Sequence, residues 1–175
     1  MRQQLERLQW LVSALLKISR LDAGTIRFKP QSISARALIE KAVSPLLIPI
    51  ELKNQTLNIE ADECLLTCDA HWTNEALLNV VKNCVEHTPE GGSITIRGEE
   101  NPLYCQITVT DTGPGIDPTD LPHIFTRFYR GKNAADDSVG IGLAMAAAIV
   151  KGQGGSIIAR SAPGGGSMFI MRFPR

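Results

Sequence analysis

Residues 70–87, AHWTNEALLNVVKNCVEH, carry the strongest helical signal in the chain. Trp72, Ala76, Leu77, Val80, Val81 and Cys84 recur at helical spacing and make a broad apolar face. Pro89 and Gly91-Gly92 close the helix. Beyond it, Ser93–Gly98 and Tyr104–Thr110 read as a β-hairpin with a polar turn at 99–102. A long irregular stretch runs from Asp111 to about Ser138, and a helix follows over roughly 140–151. Ser156–Ser161 and Ser167–Arg172 form a last hairpin around Pro163-Gly164-Gly165-Gly166.

On the other side of the helix, Thr56–Glu60 and Leu65–Cys68 alternate as two strands joined by residues 61–63. A helix starts near Ser34 and runs to about Ser44, where Pro45 and Pro49 bend or end it. Thr25–Phe28 reads as a short strand stopped by Pro30. Residues 2–23 read as a long helix ended by Gly24. Leu5, Leu8, Val12 and Leu15 give it a coiled-coil seam, which Ile18 and Leu21 continue. That stripe either pairs with another helix or packs on the domain that follows. The mixed order of strands and helices points to an α+β two-layer sandwich, one sheet with helices on one face, preceded by the long helix.

The 175 residues are 43% apolar and 21% charged, a globular composition. Eighteen basic residues balance eighteen acidic ones, so net charge gives no reason to expect nucleic acid as a partner. No apolar run is long enough to span a membrane, and the polar N-terminus does not suit a signal peptide. Cys64, Cys68 and His71 lack a fourth zinc ligand at a standard spacing, and free thiols in a reducing compartment are the simpler expectation.

Four segments carry chemistry. Asn79 and Asn83 lie four apart, so both amides face one way, and an amide oxygen is a hard ligand suited to Mg²⁺. Asp111-Thr112-Gly113-Pro114-Gly115-Ile116 follows an apolar strand. Its carboxylate can accept from an exocyclic amine such as that of adenine, and its glycines allow close backbone approach. The same composition also makes a plain tight turn. Ile124-Phe125-Thr126-Arg127-Phe128-Tyr129-Arg130 is an aromatic and basic cluster, either a lid anchor with phosphate-reaching arginines or a small satellite core. Gly140-Ile141-Gly142-Leu143 opens a helix, where backbone N–H groups bind phosphate. It is neither a Walker A motif nor a dinucleotide fingerprint.

In this order, N-x-x-x-N, D-x-G-x-G, the phenylalanine-rich segment and G-x-G-L resemble the N, G1, F and G2 boxes of sensor histidine kinases. Gly164-Gly165-Gly166 is similar to the family's last glycine-rich turn, and Leu21-Asp22 to its link between dimerisation helix and ATP domain. The resemblance implies the Bergerat ATP-binding sandwich. It divides the chain into residues 1–24, the end of a second dimerisation helix, and 25–175, the catalytic ATP-binding domain.

It further implies that Asp111 binds the adenine amine, that Gly113 and Gly115 flank the base, and that Asn83 ligates Mg²⁺ with Asn79 beside the phosphates. Gly140, Gly142 and Leu143 would hold the phosphate side, and Arg130, with Arg127, the terminal phosphates. Ile116, Phe125 and Ile141 complete the implied ATP set, and residues 131–139 would form a lid. Asn79 and Arg130 would be the catalytic pair for γ-phosphoryl transfer to a histidine. Asn79 stands where hydrolysing relatives usually carry a glutamate that activates water, which favours transfer.

The implied partners are ATP with Mg²⁺, a dimerisation and phosphotransfer domain, and a response-regulator receiver domain, in a homodimeric, membrane-anchored parent. Glu86-His87 departs from the family's usual Lys-Tyr, and Ser138 from a glycine. Glu86 would add negative charge near the phosphates, while His87 could stack on the nucleotide. His71, His87 and His123 lack the phosphoacceptor context, so the chain reads as a fragment that binds ATP without labelling itself. A nucleotide-binding module without kinase activity, or a hydrolysing or serine-kinase relative of the same fold, are the alternatives.

Overall fold

The computed structural model describes residues 1–61, 63–131, 140–162 and 164–175. Along them run α1 (Arg2–Asp22), β1 (Pro30–Ser34), α2 (Ala35–Val43), a 3-10 turn (Ser44–Leu46) and α3 (Leu47–Leu52). Then come β2 (Thr56–Glu60), β3 (Leu65–Asp69), α4 (Ala70–His87), β4 (Ser93–Glu100) and β5 (Tyr104–Asp111). A 3-10 turn (Leu121–His123), α5 (Gly142–Gly152), β6 (Ser156–Ser161) and β7 (Ser167–Pro174) complete the order.

Asp69 sets where α4 begins. Its Oδ1 accepts from the Trp72 N–H at 3.0 Å, the N-cap bond that satisfies an orphan amide of the first turn. Its Oδ2 accepts from the Lys29 N–H at 2.8 Å, which ties the approach to β1 to the same point. The last turn is held as firmly. Lys53 Nζ donates to the Val85 carbonyl at 2.8 Å, and Gln55 Nε2 to the Val85 and Thr88 carbonyls at 3.1 and 2.8 Å.

The main sheet has the order β2-β4-β5-β7-β6, with β2 parallel to β4 and the other pairs antiparallel. Leu77, Val80 and Val81 of α4 and Met145 and Ile149 of α5 are buried together with Ile94, Ile96, Ile107, Val109, Phe169 and Met171 of the sheet. Side chains along β5 alternate in burial, so Cys105, Ile107 and Val109 enter the core. Asp111 inherits that register, and the strand's own period delivers a carboxylate to a buried position.

The sandwich expected from sequence is present, with two corrections. One sheet was expected, but β3 leaves the main sheet and pairs antiparallel with β1 as a separate two-stranded sheet. The strand expected at Thr25–Phe28 lies instead at Pro30–Ser34, where a proline can open an edge strand because no ladder donor is required there. Phe28 is placed by an aromatic contact, edge-on to Trp72 with centroids 6.2 Å apart.

The C-terminal half of the first helix packs on the domain that follows. Ala14 and Ile18 are buried and α1 packs on α5, with Lys17 Nζ 2.8 Å from Glu75 on α4. Leu5, Leu8 and Val12 are about half exposed, so the N-terminal part of the seam is uncovered. All four cysteines are unbridged and buried. No helix among the described residues is long and apolar enough to cross a membrane.

Candidate functional site

A cavity of about 420 Å³ opens between α4, the start of α5 and the segment after β5. That size suits a nucleotide-sized ligand. From α4 it takes Asn79, Lys82, Asn83, Glu86 and His87, which recur at helical spacing on one side. The Asn79 amide nitrogen donates to the Glu75 carbonyl at 3.1 Å and towards Met145 Sδ at 3.8 Å. Its oxygen lies beside Gly142, the first residue of α5.

Gly140, Ile141, Gly142 and Leu143 form the facing wall. α5 starts with no side-chain cap. The N–H groups of a helix's first turn have no intrahelical partner, so this wall offers donors and a positive dipole end to an anion. Gly140 has φ +75, and a Cβ there would stand 2.5 Å from the Tyr129 carbonyl, so only glycine brings this turn against the aromatic segment. The two are joined by the Phe128 N–H, which donates to the Gly140 carbonyl at 2.9 Å.

Asp111 sits at the end of β5, 2% exposed. Its Oδ1 accepts from the Gly113 N–H at 2.9 Å and the Ser167 N–H at 3.1 Å, which locks the carboxylate between two loops. Burial, followed by the neighbouring Asp111 charge, pushes the Cys84 thiol well above its ordinary range. Gly166, at φ +92, packs so closely that any Cβ would collide with the Asp111 carbonyl. Gly113 packs in the same way on the His87 carbonyl. The glycines of this region serve first to seat backbone on backbone.

Eleven residues of the implied ATP set line the cavity: Asn79, Asn83, Glu86, His87, Gly115, Ile116, Arg130, Gly140, Ile141, Gly142 and Leu143. Asp111 and Gly113 lie behind the lining; Ser167, bonded to Asp111, is part of it. Phe125 is turned away and packs edge-on to Phe169 of β7 at 6.5 Å, as a core anchor. Arg127 is ion-paired with Asp22 at the end of α1 and does not line the cavity. Of the expected lid, residues 132–139, Ser138 among them, lie outside the described residues.

Several lining residues escaped the sequence reading. Asp117 and Asp120 bring two carboxylates to the cavity. Asp120 is nearly buried and accepts from the Tyr129 hydroxyl at 2.5 Å; that bond is the first cause of a raised Tyr129 pKa, followed by burial and the Asp120 and Asp117 charges. The only sequence signal for this pair was turn composition, Asp117-Pro118-Thr119-Asp120. Lys82 lies under Trp10 of α1, 5.6 Å from the ring centroid, and Arg7 and Trp10 close one side of the cavity. No sequence spacing brings α1 to this place.

The donor set fits a nucleotide with a hard cation. Two amide groups, an uncapped helix start and the cations Lys82 and Arg130 suit polyphosphate, while Ile116, Ile124 and Phe169 offer apolar surface to a base.

An α+β sandwich with this cavity defines a nucleotide-binding domain, and comparison with known proteins identifies which kind. Residues 68–175 match the family described as histidine kinase-, DNA gyrase B-, and HSP90-like ATPase, and the chain belongs to it. It is 29% identical over 180 residues to sensor protein SrrB of Staphylococcus aureus, covering 97% of this chain and 30% of that protein. It is 31% identical over 179 residues to the signal transduction histidine-protein kinase/phosphatase MprB of Mycobacterium ulcerans, covering 98% of this chain and 34% of that protein. The chain thus spans about a third of the length of these relatives, which are sensor histidine kinases.

Among solved structures, Acinetobacter baumannii histidine kinase AdeS superimposes with TM-score 0.83 at 22% identity, covering 98% of this chain and 80% of that one. Full-length ShkA in complex with AMPPNP gives 0.86 at 23% identity, covering 99% and 37%. Histidine kinase ThkA in complex with response regulator TrrA gives 0.80 at 23%, covering 99% and 48%. The fold is therefore the Bergerat sandwich of histidine kinase ATP-binding domains.

Proposed function

We propose that the cavity binds Mg²⁺·ATP and directs its γ-phosphoryl group to a histidine nitrogen on a dimerisation helix outside this chain, for relay to an aspartate of a response-regulator receiver domain. The observation that carries this reading is the convergence of Asn79, Asn83 and the uncapped start of α5 on one cavity, with Asp111 held behind its lining and bonded to Ser167. Asp111 would select the base through the adenine amine, from beneath Gly115 and Ser167. The first turn of α5 would hold the phosphates with its N–H groups, and Asn83 would present its amide oxygen to the metal. Asn83 would hold Mg²⁺ there, and the ion would supply neutralisation of the charge that develops on transfer.

Arg130 and Asn79 orient the terminal phosphate, and Arg127 acts away from it, on α1. An amide at position 79 has no basic atom to activate water, which supports transfer over hydrolysis. The domain division at residues 24 and 25 belongs to the same reading, as do a homodimeric parent and its placement at a membrane. Relatives named as sensor kinases, and the neighbours solved with AMPPNP and with a response regulator, support it.

The test is phosphotransfer from γ-labelled ATP to a separately supplied helical hairpin bearing a histidine, with Mg²⁺ present. Label on the hairpin is the expected result. Nucleotide binding with no transfer would reduce the chain to a binding module, a reading that Glu86 on the cavity wall would then explain by charge repulsion.

A further inference from the structure

The far end of β5 holds a second cluster, remote from the nucleotide cavity. Cys105 is the first core-facing residue of the strand, and Asp111 the last. The two are separated by about 20 Å at the usual rise of an extended strand. Cys64, in the turn before β3, brings its sulfur to 3.7 Å from that of Cys105. Glu100, the ladder partner of Cys105 on β4, adds a carboxylate. The three ligand atoms lie within 4.8 Å of one another.

We propose that Cys64, Cys105 and Glu100 form a binding site for a thiophilic d¹⁰ cation of the Zn²⁺ type, with water as the fourth ligand. Three geometric facts support it. Zinc–sulfur bonds of about 2.3 Å in a tetrahedron place two sulfurs about 3.8 Å apart, the separation this pair already has. The carboxylate needs to close to about 3.5 Å from each sulfur, which requires Glu100 to exchange its contacts with the Leu65 N–H and Arg175 for the ion. Both sulfurs are buried while Glu100 faces solvent, so an ion has an entry path and an open position for water.

Glu100 is held in place: its Oε2 accepts from the Leu65 N–H at 3.2 Å and lies 3.6 Å from Arg175. On binding, both thiol protons pass to the buffer and the sulfurs bond the ion as thiolates. The bound ion would pin the turn between β2 and β3 to the β4–β5 hairpin. Cys68 and Cys84 take no part.

The experiment is titration of the reduced full chain with Co²⁺, without nucleotide, following the thiolate-to-metal absorption band and its displacement by Zn²⁺. The expected result is saturation at one ion per chain, with at least about 10-fold weaker binding in Glu100→Gln and loss of the band in Cys105→Ser. Cys68→Ser and Cys84→Ser should bind as the parent chain does. Glu100→Gln alters an exposed side chain and keeps the test sound if Cys105→Ser does not fold. Absence of the band at millimolar Co²⁺, its persistence in Cys105→Ser, or full affinity in Glu100→Gln would each overturn the site. So would loss of two titratable thiols without metal, which would show a disulfide instead.

Discussion

The two walls of the nucleotide cavity are held by different means. On the sheet side, backbone does the gripping: two N–H groups hold the Asp111 carboxylate, and Gly166 lies directly against the Asp111 backbone carbonyl. On the side of residues 116–131, backbone turns are supplemented by side-chain contacts. Tyr129 bonds Asp120, Phe125 leans on Phe169, and Arg127 reaches out to Asp22. Phe128 sits half-exposed with φ +65, a conformation unusual for an aromatic residue. A defect in the first wall is a defect in the fold, whereas the second wall is anchored to the core through Phe125 and tied to α1 through Arg127.

The severest test of that contrast is Gly166→Ala. A side chain there meets the Asp111 carbonyl at a φ that alanine rarely adopts, and neither strand can retreat without loosening the β5–β7 ladder. We expect a loss of about 3 kcal/mol or more, a fall in Tm of roughly 6–12 °C. A melt within 2 °C of the parent (about 0.5–1 kcal/mol) would erase the difference between the walls.

Asp111→Ala comes next. It leaves the buried Ser167 N–H without an acceptor, at about 1–3 kcal/mol, and the partly buried Gly113 N–H at less, and should reduce ATP affinity by about 100-fold or more in calorimetry. Asn83→Ala should lower Mg²⁺·ATP affinity about 10-fold while Tm stays within about 1 °C, because the residue lines the cavity and not the core. Equal affinity with and without Mg²⁺ in the parent chain would remove the metal role.

On the second wall, Asp22→Asn breaks the pair with Arg127. Both side chains are about half exposed, so the stability change should be at most about 1 kcal/mol. A larger loss would mean that the Asp22 end of α1 is held as firmly as its buried Ile18. The smallest effect concerns pH. In a Tyr104→Phe background only Tyr129 titrates as tyrosine, and its absorbance change should come above the usual 10.0. The hydroxyl is the donor to Asp120, so its contribution is complete below pH 10 and fades as pH rises through the higher folded value. Asp120→Asn should bring the titration back down.

The first wall was largely legible in the sequence because its cues are local. Asp69 before an apolar-periodic run marks the start of α4, Pro89 lies just past its end, and an alternating strand delivers Asp111 inward. The glycine doublets and triplet announced backbone crowding, although what they crowd is other backbone. The second wall was not legible. Arg127 looked like a phosphate contact because charge in a loop suggests a ligand, yet a carboxylate 105 positions earlier claims it. Trp10 stood outside the seam read in α1, and only the docking of Ile18 and Ala14 on α5 swings it over Lys82. The separation of β1 and β3 from the main sheet was hidden for a similar reason: alternation reveals a strand but not its partner.

The way α1 is seated makes it a lever. Its buried bearing is Ile18, about 24 Å from Arg2 and about 6 Å from Asp22 at the rise of an α-helix. A tilt of about 10° around that bearing would carry the Arg2 end about 4 Å and the Asp22 end about 1 Å. A coarse displacement at the long arm is thus geared down fourfold at the carboxylate that holds Arg127.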